Sequence, residues 1–232
     1  MAGLKRPRAV WPIVWGALCV AAVCIGVMTR LSYTSDSRDA NALGELVYAC
    51  APYSADELER IDRGIDTFSA KDLMGEADAV VVGSPCGAGE YIHHSFLTAF
   101  SVTDVVRGDG SLASTEIRVF EPVGMYDWPE GRVLAPSGAY QFGGTFMRSD
   151  ARYVLFLKRV PSSIGADGWA MLDSPYARMP VARDFTYRID QAMAYATPLR
   201  ECEGIDLVVA DEASLEAYRQ AQDDVLTCAG LQ

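Results

Sequence analysis

A run of apolar residues without a single charge extends from Ala9 to Met28, directly after the basic residues Lys5, Arg6 and Arg8. Its 20 residues, at about 1.5 Å each in an α-helix, match a bilayer hydrocarbon core of roughly 30 Å. Basic residues that flank a membrane span tend to stay in the cytoplasm. The sequence therefore predicts a cytoplasmic tail over residues 1–8, a transmembrane anchor over residues 9–29 and an extracytoplasmic C-terminal part.

Cleavage of this segment as a signal peptide is the alternative interpretation. A signal peptide ends in a small-x-small site close behind a shorter apolar region. Here the apolar run continues into Val27-Met28-Thr29-Arg30, and the next Ala-x-Ala pattern, Ala40-Asn41-Ala42, lies more than ten residues further on. This spacing favours an anchor that stays in the membrane.

The part of the chain beyond the span is acidic. Residues 30–45 are mostly polar and predict a tether, and residues 46–232 are enough for one domain with a sizeable core. Without the four basic residues at positions 5, 6, 8 and 30, 16 basic and 31 acidic residues remain, a formal charge of −15. A surface of this charge repels nucleic acid, so we exclude nucleic-acid binding.

The number of cysteines beyond the predicted anchor is typical of an exported protein. Beyond the predicted anchor the sequence has Cys50, Cys86, Cys202 and Cys228. An even number of cysteines in an oxidising compartment predicts two disulfides. Three connectivities are open, and we expect Cys50–Cys86 with Cys202–Cys228 because each pair brackets one local region. The sequence contains no Cys-x-x-Cys or paired-histidine spacing that would predict a metal site, and no cofactor-binding motif.

Apolar patterns predict a mainly β (α+β) domain. Short runs that are β-branched or that alternate apolar with polar residues indicate strands, and apolar residues at helical spacing indicate helices. The predicted strands cover residues 78–83, 94–106, 116–121, 153–157, 169–172 and 185–190, and the predicted helices begin at Ser54, Ser69 and Asp211. Strands of this number with flanking helices predict a small antiparallel barrel that is closed or nearly closed.

The barrel pattern resembles that of a broad set of bacterial exported proteins. Lys71 to Gly83 contains Ala77-Asp78-Ala79-Val80-Val81-Val82-Gly83, and Phe100 to Asp109 and Tyr153 to Leu157 follow in the same order. These segments are similar to the pattern AD-x-VV-x-G, F-x-V-x-x-V-x-KG and Y-x-LFL of those proteins. The resemblance covers Lys71 to Leu157 and implies an OB-like barrel similar to the N-terminal domain of tissue inhibitors of metalloproteinases. Protease inhibition by analogy would require an exposed Cys50-Ala51-Pro52 segment beside the barrel.

The segment from Pro122 to Asp150 has no clear periodicity but is rich in glycine and aromatic residues. Long loops in compact domains tend to be functional, and aromatic side chains can bury area against the domain. The candidate binding residues of this loop are Tyr126, Trp128, Tyr140, Phe142 and Phe146. A packed cover over one barrel end is the other interpretation of this segment, which we predict as a loop.

Few residue types of this chain suggest catalysis. His93 and His94 are the only histidines, and neighbours on a strand point to opposite faces. A Cys86–His94 pair and a hydrolase that uses acidic residues near the 122–150 loop, such as Asp127 and Glu130, are the alternatives to a non-enzymatic role. We predict no catalytic residue, no metal and no cofactor. The sequence favours a membrane-anchored extracytoplasmic binding module in the cell envelope, with an envelope protein as a partner.

Overall fold

A computed structural model describes residues 19–20, 22–25, 46–56, 69–87, 89–92, 94–129, 131–138, 142–161, 168–192 and 195–231. The chain divides into two compact units, Met1–Ser37 and Arg38–Gln232. In the first unit the described residues 19–20 and 22–25 are helical. The predicted tail over residues 1–8, the predicted tether over residues 30–45 and most of the predicted anchor over residues 9–29 lie outside the described residues. Among the helices of the described residues, none combines the length and the apolar character needed to cross a membrane.

The second unit is mainly β. Its strands are β1 (Val47–Cys50), β2 (Ala79–Pro85), β3 (Glu90–Ile92), β4 (Ser95–Arg107), β5 (Glu116–Glu121), β6 (Val123–Trp128), β7 (Gly131–Pro136), β8 (Tyr153–Val160), β9 (Gly168–Met171), β10 (Arg178–Pro180), β11 (Tyr187–Ile189), β12 (Tyr195–Pro198) and β13 (Leu207–Val209). Its helices are α1 (Ala70–Glu76), α2 (Leu199–Cys202) and α3 (Glu212–Cys228).

Strands β2, β4, β5, β9 and β8 form a closed five-stranded barrel, as the sequence predicts for a small β-barrel. The pairs β2–β4, β4–β5, β8–β9 and β2–β8 are antiparallel, and β5–β9 is parallel. The run Val80-Val81-Val82 is fully buried in β2 because that strand lies between two neighbours. Because β5 and β9 are parallel, the prediction of an antiparallel barrel was wrong for that one pair of strands.

The edge of β8 that faces away from β2 has two partners in succession. Residues Leu157–Val160 pair with β9, whereas Tyr153–Leu155 pair with β10. The barrel wall therefore closes through β9 at one end, and β10 takes the place of β9 at the other end. Side chains from β10 and from the segment before β8 fill this second end.

A second sheet of four strands has the order β12-β1-β7-β6. Tyr48 and Leu134, neighbours on β1 and β7, are fully buried and belong to the same hydrophobic core as the barrel strands. The hairpin of β6 and β7 corrects the prediction of an unstructured loop over Pro122–Asp150, because the first half of that segment is a regular antiparallel pair.

The C-terminal region packs onto this core. Helix α3 begins after Asp211, whose carboxylate caps it by accepting a hydrogen bond from the Ser214 amide at 2.7 Å. Leu215, Tyr218 and Val225, the predicted apolar face, are buried. Within the strand predicted over residues 185–190, the structure has only the short strand β11. It pairs in parallel with β13, outside the barrel. Of the helix predicted from Ser54, only Ala55 and Asp56 lie within the described residues.

The predicted disulfides Cys50–Cys86 and Cys202–Cys228 are wrong, since all six cysteines lie in described residues and carry free thiols. Cys50 is buried at the end of β1, next to Tyr195 of β12, whereas Cys86 is exposed behind β2. Strand β1 does not pair with β2, so proximity in sequence does not bring these two cysteines together. Cys202 is likewise buried, and Cys228 is exposed at the end of α3.

Candidate functional site

The segment from Phe142 to Arg152 crosses the barrel end at which β10 replaces β9. Phe142 bridges to Ala51, and the Gly143 amide donates a hydrogen bond to the Ala51 carbonyl at 2.6 Å. Gly143 has a φ of +72°, and a Cβ there would meet the Val208 carbonyl oxygen at 2.4 Å. Only glycine fits this approach, so the residue fixes the path of the segment that follows it.

The guanidinium of Arg178 on β10 holds this segment to the C-terminal region. It is 3% exposed, and it donates hydrogen bonds to the carbonyl oxygens of Thr145 at 2.6 Å and of Asp206 at 2.7 Å. It also lies over the ring of Tyr153, 5.4 Å from the ring centroid. A buried cation with charge-assisted bonds of this kind orders three chain segments at once.

Glu121, the last residue of β5, is a buried carboxyl at the same end of the barrel. Its Oε2 accepts a hydrogen bond from the Met147 amide at 2.8 Å, and the Thr98 hydroxyl donates to its Oε1. Burial raises the pKa of this carboxyl, and the hydrogen bonds and the charge of Arg178 offset part of that rise. The residue is 2% exposed, so it has no access to a solvent-borne substrate.

This pKa predicts how stability depends on pH. Because the folded state raises the pKa of Glu121 above its ordinary value of 4.5, the folded protein binds the proton more tightly than the unfolded chain does. We expect the contribution of Glu121 to the free energy of unfolding to be full below that value and to be lost as pH rises through the raised pKa. The Glu121→Gln variant should remove this slope in urea unfolding curves measured from pH 4 to pH 8. The variant Glu90→Gln, at an exposed position, should keep it, and an unchanged slope in Glu121→Gln would contradict the assignment.

Asp206 is the second buried carboxylate at this end. Its Oδ1 accepts a hydrogen bond from the Tyr153 hydroxyl at 2.7 Å, and its Oδ2 accepts from Arg148 Nη1 and from the Thr186 amide, each at 3.0 Å. The Arg148 guanidinium also forms a bidentate pair with Asp150 at 3.0 and 2.7 Å. The pair lowers the pKa of the Asp150 carboxyl and raises that of Arg148. Arg148 is thus held in one orientation between two carboxylates.

A cleft of about 380 Å³ opens on one side of Arg148. Its apolar lining consists of Tyr48, Phe146, Met147, Leu199 and Cys202. Its polar lining consists of Arg148, Ser149, Asp150, Glu203 and Gly204. The volume and the mixture of an apolar floor with a few polar groups are typical of a small-ligand site. The charged residues of the lining are Arg148, Asp150 and Glu203, so the rim has a formal net charge of −1.

A second cleft, of about 430 Å³, lies on the other side of Arg148. Arg152, Asp184, Thr186 and Asp206 line it together with Phe185. Arg148 and Asp150 line both clefts and form the ridge between them. A ligand in either cleft would therefore contact the same ion pair.

The structure does not bring the five predicted aromatic residues together. Phe146 lines the first cleft, where its ring packs 5.8 Å from that of Tyr48 and 5.0 Å from that of Phe96. Phe142 is buried, and Tyr140 lies outside the described residues. Tyr126 and Trp128 are exposed on the β6–β7 hairpin. The predicted loop thus contributes to two separate surfaces.

The two buried cysteines are poor nucleophiles. Burial raises the pKa of Cys50 to about 12, with a further contribution from Cys202, and raises the pKa of Cys202 to about 11. At neutral pH both thiols are protonated, and a thiol reacts through its thiolate. Cys202 lines the first cleft, yet it has no chemical activation there.

Thiol accessibility tests this arrangement. At pH 8 we expect iodoacetamide to modify Cys86 and Cys228, which are exposed, and to leave Cys50 and Cys202 unmodified until the chain is unfolded in urea. Peptide mapping by mass spectrometry of the full chain, without reductant, gives the adduct at each position. A Cys86→Ser variant should lose the adduct at that position only. An adduct on Cys202 in the folded protein would contradict the burial described here.

The other sequence candidates for chemistry are dispersed. The Cys86 thiol is exposed and donates a hydrogen bond to the Glu116 carboxylate at 3.6 Å. Partial desolvation and this carboxylate raise the pKa of the thiol. Cys86 lies level with Ala99, whereas His94 is in the turn at the start of β4, so the Cys86–His94 pair does not form. Asp127 is paired with Arg132 at 2.9 Å and is exposed. Within the described part of the chain, no three His, Cys, Asp or Glu side chains are arranged to hold a metal ion. His93 and Glu130 lie outside the described residues.

Sequence reasoning missed Glu121, Arg148, Arg178 and Asp206. One signal was present for Glu121, since Ile117 and Val119 face the barrel interior and the period of a strand places residue 121 on the same face. The other three are charged residues outside any periodic segment, and only the tertiary contacts bring them together.

Comparison with known proteins does not assign this arrangement. No protein-family model matches the chain. A search of curated proteins finds no significant match either.

Proposed function

We propose that this chain is a membrane-anchored, extracytoplasmic binding module without enzymatic activity, and that the cleft beside Arg148 is its ligand site. The observation that carries the proposal is the cleft itself, in which the partly exposed Phe146 and Leu199 supply an apolar floor and a doubly paired arginine supplies a fixed polar wall. Preorganised side chains of this kind lower the entropic cost of binding. The anchor is the apolar segment over residues 9–29.

The strand order supports an OB-like barrel. Numbered in chain order, the five barrel strands follow one another around the barrel as 1-2-3-5-4, and strand 4 pairs back with strand 1. Strands 3 and 5 form the parallel pair. This arrangement is the Greek-key order of OB-like barrels, which act widely as binding domains. It supports the fold implied by the resemblance of the sequence and not an activity.

The two alternatives have less support. A hydrolase would need two accessible carboxyl groups in one cleft, one with a raised pKa. Burial raises the pKa of Glu121 but also seals it, and the ion pair lowers the pKa of Asp150. Inhibition of the kind suggested by analogy requires an exposed Cys50-Ala51-Pro52 segment, and Cys50 and Pro52 are buried.

The lining of the cleft indicates the chemistry of its ligand. An apolar floor beneath an acidic rim favours a group with an apolar body and a positive charge. An extended segment of an envelope protein with a lysine next to a leucine or phenylalanine has this character. We therefore propose a basic-apolar peptide segment as the ligand class.

The test uses the full chain in lipid nanodiscs and two fluorescent peptides, Leu-Lys-Phe-Lys and Leu-Glu-Phe-Glu. We expect saturable binding of the lysine peptide only, by fluorescence anisotropy. The rim variant Glu203→Lys should weaken this binding about fivefold, as loss of a charge contact at an interface rim does. Its matched control is Glu216→Lys, the same charge change at an exposed position on α3, which should bind as the unmodified chain does. Equal binding of both peptides, or of neither, would overturn the proposed site.

The anchor has a separate test. In cells that express the full chain, carbonate washing should leave it in the membrane fraction, and external protease should digest the part beyond residue 45 in spheroplasts. Recovery of the chain in the soluble fraction would contradict membrane attachment without bearing on the cleft.

A further inference from the structure

The four-stranded sheet has an outer face that carries no charged residue. Residues that pair directly across strands point to the same side of a sheet, so the register assigns side chains to faces. Tyr48 and Leu134 point inward to the core. The opposite, outer face consists of Ala196 and Pro198 on β12, Val47 and Ala49 on β1, Val133 and Ala135 on β7, and Gly124, Tyr126 and Trp128 on β6. Ala49, Gly124 and Val133 are buried on this face, and Val47, Tyr126, Trp128 and Ala196 are exposed.

The apolar exposure of the second unit is concentrated on this outer face. Val47, Tyr126 and Trp128 have relative exposures of 38%, 42% and 52%. Among the described residues of that unit, the other large apolar side chains with comparable exposure are Tyr187 and Ile189 on β11. The charged pair of the hairpin, Asp127 and Arg132, points away from the outer face; both side chains are exposed and form an ion pair at 2.9 Å. Exposed apolar patches on an otherwise charged protein mark interaction sites.

The position of this face in the fold indicates its partner. β1 and β7 run parallel with Val47 opposite Val133, so β7 begins two residues before the level of the β1 start. The hairpin tip between Trp128 and Gly131 therefore extends about 7 Å beyond Val47, at the residue spacing of a strand. This is the end of the sheet at which the chain arrives from the tether and the apolar segment.

We propose that the outer face, through Tyr126 and Trp128 of the hairpin tip, rests in the headgroup region of the bilayer to which the chain is anchored. This inference depends on the anchoring in the proposed function. Tryptophan and tyrosine prefer that region because their rings are apolar and their polar atoms reach water. A face without charge can also approach a membrane without loss of hydration of ionised groups, which matters in a chain whose part beyond the span has a formal charge of −15. The contact would hold the domain in one orientation despite a tether of 16 residues.

The experiment measures tryptophan emission of the full chain reconstituted in phosphatidylcholine vesicles. Trp11 and Trp15 are replaced by phenylalanine, and either Trp169→Phe or Trp128→Phe leaves a single reporter. Trp169 is the control because it lies on β9 of the barrel beneath Arg159. In vesicles made with dibrominated lipid we expect Trp128 to lose about half of its emission and Trp169 to lose little, as for one ring in the interface and one outside it.

Two charge variants test whether the outer face itself, and not only the Trp128 ring, contacts the membrane. In the Trp128 chain, Tyr126→Asp should abolish the quenching, since a carboxylate resists transfer to the interface. Tyr187→Asp, at an equally exposed tyrosine on β11, should leave it unchanged. Flotation of the vesicles after a carbonate wash reports the anchor independently. Chain that floats with Trp128 unquenched would overturn the inference alone, and chain that does not float would overturn both the anchoring and this inference.

Discussion

Replacement of Arg178 by methionine should lower the free energy of unfolding by about 4 kcal/mol, the range observed when one partner of a buried ionic network is removed. Methionine fills a similar volume but removes the charge-assisted hydrogen bonds that Arg178 donates to the Thr145 and Asp206 carbonyl oxygens. It also leaves the buried Glu121 without the nearby cation that lowers its pKa. Urea unfolding followed by far-ultraviolet circular dichroism measures the change.

The control is Arg118→Met, at an exposed arginine that pairs with Glu90 at 2.8 Å. An exposed pair of this kind contributes less than about 1 kcal/mol, so this variant should unfold almost as the unmodified chain does. The double variant Arg178→Met with Glu121→Gln should recover part of the loss, because it removes the carboxylate that the first substitution leaves uncompensated. A loss below about 1 kcal/mol in the single variant would mean that Arg178 does not hold the barrel end together.

Replacement of Gly83 by alanine should cost about 3 kcal/mol, the upper part of the range for overpacking a core. Gly83 lies in β2 between β8 and β4, at a register irregularity that brings β4 close. A Cβ at this position would stand 2.0 Å from the Ser101 carbonyl oxygen and 2.7 Å from the Phe100 ring. Backbone of the barrel would have to move, since the nearest atom is not part of a flexible side chain.

Gly75→Ala is the matched control, as it is the same substitution in a different setting. Gly75 is in α1, and a Cβ there meets nothing within 4 Å. Alanine should raise stability at this position by about 0.5 kcal/mol because it reduces the freedom of the unfolded chain. The two variants should therefore shift the urea midpoint in opposite directions, and a similar shift for both would contradict the close approach at Gly83.

The strands of the barrel could be predicted because their signals are local. The run Asp78–Gly83 and the alternating segment Glu116–Glu121 correspond to β2 and β5, and the predicted strand over residues 94–106 corresponds to β4 to within one residue. The glycine-rich segment Arg107-Gly108-Asp109-Gly110 turns the chain after β4, and Gly108 has a φ of +107°. Each of these signals lies within a few neighbouring residues, where burial and turn geometry act directly.

The predictions that failed are those that depend on strand register and on contacts between residues far apart in the sequence. The disulfide pairs assumed that neighbours in sequence are neighbours in space, but β1 joins a sheet with β7 and β12, which come much later in the chain. The parallel pairs β5–β9 and β11–β13 are also formed by segments far apart. Nothing in the local pattern of these residues encodes their partners.

The residues that line the first cleft could be anticipated only in small part. The aromatic-rich segment after Pro122 does supply Phe146, Met147 and Arg148 to the first cleft. The remaining lining comes from β1 and from the turn around Glu203, for which the sequence has no functional motif. Tyr126 and Trp128 of the same segment are on the hairpin instead, because residues 123–136 fold back as a two-stranded unit before the chain reaches the barrel end.

The sharing of one edge of β8 by β9 and β10 decides how far this protein can be shortened. A fragment cut after Met171 would keep all five strands of the barrel but would lose β10 together with Ala177 and Val181, which are the backbone hydrogen-bond partners of Phe156 and Arg152. An uncovered apolar strand edge recruits other chains into aggregates. The smallest stable piece must therefore run on through β10 and the helix that covers it, so the C-terminal sixty residues are a working part of the barrel and not an accessory to it.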